Sequence, residues 1–191
     1  MKDTAREISP RIARQRERAH DQALNSLANS VKGLRPKMIL DVGTGYGTNL
    51  RFLARRFGNR SRIWSVDASP GVVREMKKIL RDHRYSRHVT VKRADAQRLP
   101  FKNAHFDLVV SLFSLHHLTD PKRGLSEMTR TLSPGGKLII ADWTRTAGRQ
   151  LKLHEPNEIP SPTSVIKELK RQGLRARSRI RPYWYSVEAV K

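Results

Sequence analysis

The chain predicts an α/β fold: a doubly wound, mostly parallel sheet with helices on both faces. Three observations predict it. Short apolar runs at Met38-Ile39-Leu40, Ile63-Trp64-Ser65-Val66, Val89-Thr90-Val91 and Phe106-Asp107-Leu108-Val109-Val110 alternate with helix-length segments, the pattern of a parallel sheet covered on both sides. The turn Asp41-Val42-Gly43-Thr44-Gly45-Tyr46-Gly47 directly follows the first run and opens a helix near Thr48. Its glycines let a ligand approach the backbone closely, and the helix N-terminus offers that ligand unpaired N–H groups and a positive dipole end. Acids stand after the next two runs, Asp67 and then Asp95 in Ala94-Asp95-Ala96. An acid at the tip of the second strand suits a bidentate grip on ribose hydroxyls.

Taken in order, residues 1–35 form a basic, mostly helical lead or cap. Ile8, Ile12, Ala23, Leu24 and Leu27 give it a weak apolar stripe among Arg11, Arg14, Arg16 and Arg18. Two readings stay open for it, a lid over the ligand cleft or a solvated helix covering the sheet edge. Residues 36–191 read as one domain. Strands are expected at about 37–42, 62–67, 89–94, 106–112 and 136–142, with helices at about 47–57, 70–82 and 121–132. Pro134-Gly135-Gly136 makes the turn into the fifth strand. Ser161-Pro162 supplies an N-cap and first-turn proline for a helix near 162–172, followed by strands near 174–181 and 183–190. The stretch Thr144 to Pro160 has no clear periodicity. It follows the fifth strand, where a substrate-facing loop would lie.

At 191 residues the chain can bury a substantial core. It holds no cysteine, which removes disulfides, thiolate metal sites and a cysteine nucleophile. No apolar stretch reaches membrane-spanning length and no signal-peptide core is visible, so the expectation is a cytoplasmic protein. The formal net charge of +22 attracts polyanions. Scarce cysteine and abundant arginine also fit a heat-adapted, thermophilic source, and the charge does not choose between the two.

The strings DVGTGYG, VDAS, ADAQRLPF, FDLVVS, LHHL and LSPGGKLIIADW, in register from Lys37 to Trp143, resemble the class I S-adenosylmethionine-dependent methyltransferases. The branch they look most like includes quinone-biosynthesis C-methyltransferases and many small-molecule methyltransferases. A nicotinamide-binding Rossmann domain would favour G-x-G-x-x-G, whereas this chain reads G-x-G-x-G. The resemblance implies a seven-stranded sheet with an antiparallel C-terminal edge hairpin, and S-adenosylmethionine as cofactor. It places Gly43, Thr44, Gly45 and Gly47 along the methionine portion, with Asp41 anchoring the amino group. Asp67 would hold the ribose with Ala68 lining the adenine slot, Asp95 and Ala96 would read the adenine edge, and Ser111 would lie at the cofactor. As alternatives, Asp67 caps the following helix and Asp95 is a turn residue.

In that family the tip Ser111 to His117 faces the sulfonium and the incoming nucleophile. His116 and His117 are its titratable side chains, so either is a candidate general base, with a packing role as the alternative. The tip lacks the N/D-P-P-Y/F quartet of amino methyltransferases acting on nucleic acid. Tyr46, Phe113, Trp143 and His154 beside Glu155 are the candidate acceptor pocket, with core packing the alternative for Phe113 and Trp143. No metal-ligand spacing is visible. Arg175, Arg177, Arg179 and Arg181 alternate and so share one strand face, followed by Tyr183-Trp184-Tyr185. Either these bind a polyanion, with the aromatics stacking on bases, or they protect an edge strand while the aromatics pack inward. The reading is a methyltransferase with a small-molecule acceptor. The charge argues for RNA or a ribosomal component, and protein lysine is a third acceptor. A non-catalytic basic RNA-binding module with a methyltransferase-like shell is the competing class; the intact glycines and Asp67 argue against it.

Overall fold

The computed structural model describes residues 9–81, 87–153 and 158–191. Its seven strands are β1 (Met38–Val42), β2 (Arg62–Asp67), β3 (Val89–Arg93), β4 (Phe106–Leu112), β5 (Leu132–Trp143), β6 (Arg175–Ile180) and β7 (Trp184–Val190). They form one sheet in the order β3-β2-β1-β4-β5-β7-β6. The first five strands are parallel, and β7 runs antiparallel between β5 and β6. The strand order reverses between β1 and β4, so the carboxyl ends of those two strands flank the crevice where such sheets take ligands.

Alternation along the central strands divides the core. Ile139, Ala141 and Trp143 face one layer, Leu138 and Ile140 the other. Both faces are covered, which is why β4 is apolar almost throughout. On the first face lie α1 (Pro10–Ser30), α2 (Thr48–Phe57) and α3 (Pro70–Arg81); on the second lie α4 (Pro121–Thr131) and α6 (Pro162–Arg171). The lead helix is built in: Ala19, Ala23 and Leu27, one turn apart, are buried against the sheet, with Ile12 and Leu24 beside them. Ile8 lies outside the described residues. Ser9 and Pro10 start α1, and the Asp120 and Ser161 side chains cap α4 and α6.

Two elements differ from the sequence reading, and the C-terminal edge bears on an alternative it left open. The fifth strand begins at Leu132 rather than 136, because Leu132 pairs with Phe106 before Pro134-Gly135 bulges out and Lys137 re-enters opposite Leu108. The turn signal was real, but pairing resumes across it. The unpatterned stretch after β5 contains a short helix, α5 (Arg145–Gln150), capped by Thr144. Its 6 residues are too few for a 3.6-residue period to show. The Arg175–Ile180 edge strand keeps its arginines exposed, while Trp184 and Tyr185 pack inward. Among the described residues no helix is long and apolar enough to cross a membrane.

Candidate active site

The turn after β1 is held by the strand beside it: the Gly43 and Thr44 N–H groups donate to the Val66 carbonyl at 2.8 and 3.1 Å. Gly47 takes a left-handed conformation (φ 75°) at the start of α2, which has no side-chain cap. Gly45 (φ 47°) has open space where a Cβ would project, so a ligand can lie against its backbone.

Beneath the turn runs a buried polar chain. The Ser65 hydroxyl donates to Asp41 Oδ2 at 2.7 Å, and Thr44 Oγ1 lies 2.7 Å from Ser65 Oγ. Ser65 has one proton and gives it to Asp41, so Thr44 is the donor in the second bond. Asp41 is fully buried, and its Oδ1 has no hydrogen-bond partner among the described residues. Burial, with the Asp67 charge adding to it, pushes this carboxyl up to about 7, against the hydrogen bonds of Ser65 and Asn49. A buried acid with one oxygen unanswered, beside a glycine turn, suits a ligand ammonium group.

At the tip of β2, half-buried Asp67 accepts from the Gly45 N–H through Oδ2 at 3.0 Å and from the Ser69 N–H through Oδ1 at 2.9 Å. Each oxygen keeps capacity for a further donor. The next strand brings Asp95 close by, since the Ala94 N–H donates to the Asp67 carbonyl at 3.0 Å. Asp95 is exposed, holds the Gln97 N–H at 2.8 Å, and precedes buried Ala96. Ala68 is exposed beside them. Ser111, at the end of β4, has a buried hydroxyl with no hydrogen-bond partner among the described residues, directed by alternation to the opposite face from Asp41. Glycines, Asp41, Asp67 and Asp95 thus line the carboxyl ends of β1, β2 and β3. The orphaned oxygen, the open Gly45 and the uncapped helix fit S-adenosylmethionine.

Beyond β4 the chain turns sharply. Phe113 is held at φ 51°, a strained value for a bulky residue, and its N–H donates to the Ala141 carbonyl at 2.7 Å. Its ring lies 4.3 Å from that of Trp143 and 4.1 Å from that of His20 on α1. Trp143 is buried, and Tyr46 stands 94 % exposed at the turn. A 3₁₀ turn over Leu115–His117 follows. Here His116 is buried, with Nδ1 2.5 Å from Asp142 Oδ1 and its backbone N–H donating to Asp142 Oδ2 at 3.0 Å. His117 is exposed, with its ring 4.1 Å from that of His116. His154 and Glu155 lie outside the described residues.

The sequence reading assigned no role to His20, Ser65 or Asp142. Asp142 had a signal, an acid set between the apolar run Leu138-Ile139-Ile140-Ala141 and Trp143. His20 had none, because its neighbours come from distant strands. Burial lowers the His20 pKa; Asp21 raises it, His116 lowers it, and Asp142 raises it.

The sheet order, the glycine turn and the acids at successive strand tips define a class I S-adenosylmethionine-dependent methyltransferase domain. A family profile described as "Methyltransferase domain" matches residues 40–140. The chain belongs to this methyltransferase-domain family. It is 37 % identical over 115 residues to the ubiquinone/menaquinone biosynthesis C-methyltransferase of Bordetella parapertussis, a match covering 60 % of this chain and 44 % of that protein. It is 30 % identical over 135 residues to a probable chloroplastic tocopherol O-methyltransferase of Oryza sativa, covering 71 % and 36 %. The chain therefore spans less than half the length of these relatives. Among solved structures it is similar to a SAM-dependent methyltransferase from Aquifex aeolicus, with TM-score 0.72, 26 % identity and coverage of 87 % and 88 %. It shares the fold of the geranyl diphosphate C-methyltransferase of Streptomyces coelicolor, with TM-score 0.75 at 15 % identity and coverage of 89 % and 77 %.

Proposed function

We propose that the protein transfers the methyl group of S-adenosylmethionine to a small organic acceptor. The observation that carries this reading is buried Asp41, with one oxygen unanswered beneath an open glycine turn. Asp41 would take the ammonium group, Asp67 the ribose hydroxyls, and Asp95 with the Ala96 N–H the adenine edge. Gly45 would meet the cofactor directly, with Gly43, Thr44, Gly47 and Ala68 holding the turn around it; Ser111, expected at the cofactor, is directed to the opposite face of the sheet and is left out of the cradle. The sulfonium supplies the chemistry; the protein's part is to place the acceptor in line, exclude water and, where the acceptor arrives protonated, take a proton. His116 or His117 would do this, with Tyr46, Phe113 and Trp143 at the acceptor's entrance; His154, the other candidate there, lies outside the described residues. The names of the relatives, quinone and tocopherol methyltransferases, support a small lipophilic acceptor with phenol or enol chemistry.

Calorimetric titration with S-adenosylhomocysteine tests the cofactor half. Labelled cofactor added to a host extract, with the label sorted into small-molecule, RNA and protein pools, tests the acceptor half. No binding by folded protein, or label found only in RNA, sinks the corresponding half. A second reading rests on the exposed arginines Arg175, Arg177, Arg179 and Arg181: they would let the enzyme dock on a polyanion. A cytoplasmic location, and a thermophilic source for the arginine-rich surface, accompany these proposals and are supported by the composition alone.

A further inference from the structure

Three aromatic rings meet at the carboxyl end of the sheet, on the face that carries the acids of the glycine turn. Strand alternation puts Asp41 on the same face as Ile39, and Ser65 and Asp67 on the same face as Ile63, the face covered by α1, α2 and α3. Leu112, Ala141 and Trp143 belong to that face too, and Phe113 packs against it as the chain leaves β4. The helix α1 reaches this end by running against the direction of β5. Its last turn is tied near the far end of the sheet, where Ser30 Oγ donates to Glu188 at 2.7 Å and the Ser30 carbonyl accepts from Lys137 Nζ at 2.7 Å. Nearer its start, the His20 ring lies 5.2 Å from that of Trp143, the last residue of β5, and 4.1 Å from that of Phe113. Phe113 holds φ 51°, costly for a bulky residue, and in that conformation its ring lies against both.

Trp143 is buried and Phe113 half-buried, but His20 is exposed, so the open side of the cluster is the imidazole. Among the described residues its ring nitrogens make no hydrogen bond. Partial burial lowers its pKa from 6.5; the Asp21 charge, which raises it, His116, which lowers it, and Asp142, which raises it, leave that direction unchanged. At neutral pH the ring is therefore neutral and offers one N–H donor and one lone-pair acceptor. Arg16, one turn earlier on α1, is already engaged by the Leu151 and Lys152 carbonyls at 2.6 and 2.8 Å. The cluster also adjoins the cofactor cradle. A cofactor held by Asp41 at its ammonium group and by Asp67 at its ribose carries its sulfonium between those two residues, at the tips of β1 and β2. The strand β4 pairs directly with β1, so its tip is one strand spacing, about 5 Å, to the side. The two tips touch, since a Cβ on Gly43 would run into Ser114, the residue after Phe113.

Building on the methyltransferase reading, we propose that His20 binds the acceptor: with Phe113 and Trp143 it forms a shelf for a planar, uncharged molecule, and its ring hydrogen-bonds the hydroxyl or carbonyl at that molecule's rim. Stacked rings supply apolar area with a defined geometry, and one neutral polar group fixes the orientation of what lies on them. In a chain of net charge +22 this choice is selective. A carboxylate or phosphate on the acceptor would find no counter-charge in the three rings, whereas a neutral oxygen finds a partner in either tautomer of His20. The role is one of holding and selecting, and it asks no proton transfer of His20.

The test crosses two ligands with the wild type and two variants, read as binding to protein saturated with S-adenosylhomocysteine. 2-Naphthol offers a planar body with a hydroxyl, and naphthalene offers the body alone. His20→Phe keeps a ring for stacking and removes both nitrogens. From wild type to His20→Phe the ratio of 2-naphthol to naphthalene affinity should fall by about 2- to 10-fold, the worth of one neutral hydrogen bond. Using the ratio cancels the hydration of the hydroxyl, which both proteins share. His20→Gln, which keeps a donor and an acceptor without the ring, should retain part of the ratio and bind both ligands more weakly. A merely structural role for His20 weakens both ligands by one factor, leaves the ratio unchanged and overturns the proposal. The His20 ring C–H signals, assigned by their absence from the His20→Phe spectrum, should shift when 2-naphthol is added; signals that stay in place overturn it as well. S-adenosylhomocysteine affinity, expected to be the same in all three proteins, separates the two levels of inference. A wild type that binds S-adenosylhomocysteine but not 2-naphthol refutes the shelf and leaves the cofactor reading standing. One that does not bind S-adenosylhomocysteine refutes the cofactor reading, and the shelf falls with it. Should His20→Phe not fold, His20→Gln supplies both the ratio and the signal assignment.

Discussion

Replacing Asp41 by asparagine isolates the energetics of the cofactor cradle. The wild-type carboxyl is raised from 3.8 to about 7 by burial first and the Asp67 charge second, against the hydrogen bonds of Ser65 and Asn49. A shift of about 3 units at about 1.4 kcal/mol each makes the ionised, unliganded form costly by about 4 kcal/mol. The folded pKa lies above the unfolded one, so the folded protein holds a proton that the unfolded chain releases. The stability linked to that proton is fully present below about pH 4 and is lost as the pH rises through about 7. Asparagine has no such proton. The unfolding free energy of Asp41→Asn minus that of the wild type should therefore rise by up to about 4 kcal/mol between about pH 4 and 7. Urea unfolding of both proteins across that range measures it, and the subtraction removes every titration the two share. Binding should run the opposite way. A ligand ammonium group against Oδ1 favours the carboxylate, so below about pH 7 S-adenosylhomocysteine should expel a proton, and its enthalpy should depend on the buffer's ionisation enthalpy. The variant should bind about 10- to 100-fold more weakly, the worth of one charged hydrogen bond, with a buffer-independent enthalpy. Parallel stability curves, or the same buffer-independent enthalpy in the wild type, would refute the reasoning.

Gly45→Ala should lower S-adenosylhomocysteine affinity while removing only about 1 kcal/mol of stability, since its Cβ enters open space at φ 47°; melting and calorimetry together check this. Gly43→Ala should instead destabilise by about 1–3 kcal/mol, because its Cβ collides with Ser114 and its φ of 93° disfavours alanine, and Ser114→Gly in the same chain should recover the part due to the collision but not the part due to the backbone. Burial raises Glu188, but hydrogen bonds from Lys137, Ser30 and Arg177 together with the Lys137 charge outweigh it and hold the group at about 2. Its stabilisation is present above about pH 4.5 and lost as the pH falls through about 2, so Glu188→Gln should narrow the gap between neutral and acid melting temperatures. Replacing Arg175, Arg179 and Arg181 by serine should leave S-adenosylhomocysteine affinity unchanged and reduce the salt dependence of RNA binding; an unchanged slope would exclude this edge as a polyanion dock.

The sheet was legible because its signals are local: an apolar run, a turn residue, a cap. What was not legible depends on contacts between distant segments. Asp142 reads as one polar residue in a strand until His116, 26 residues earlier, folds back onto it. His20 reads as part of a basic helix until α1 packs over the rings of Phe113 and Trp143. The glycine turn shows the same division within seven residues. One motif predicts one role for Gly43, Gly45 and Gly47, namely room for a cofactor. In the folded chain the space above Gly43 is taken by Ser114 and that above Gly47 by Met76, and only Gly45 faces open space. Gly43 lets the turn after β4 reach the turn after β1, and Gly47 lets α3 close on α2. These two glycines let the neighbouring segments close around the turn, and the one between them is left to meet the ligand. A substitution at either flanking glycine should therefore register first as lost stability, and one at Gly45 first as lost binding.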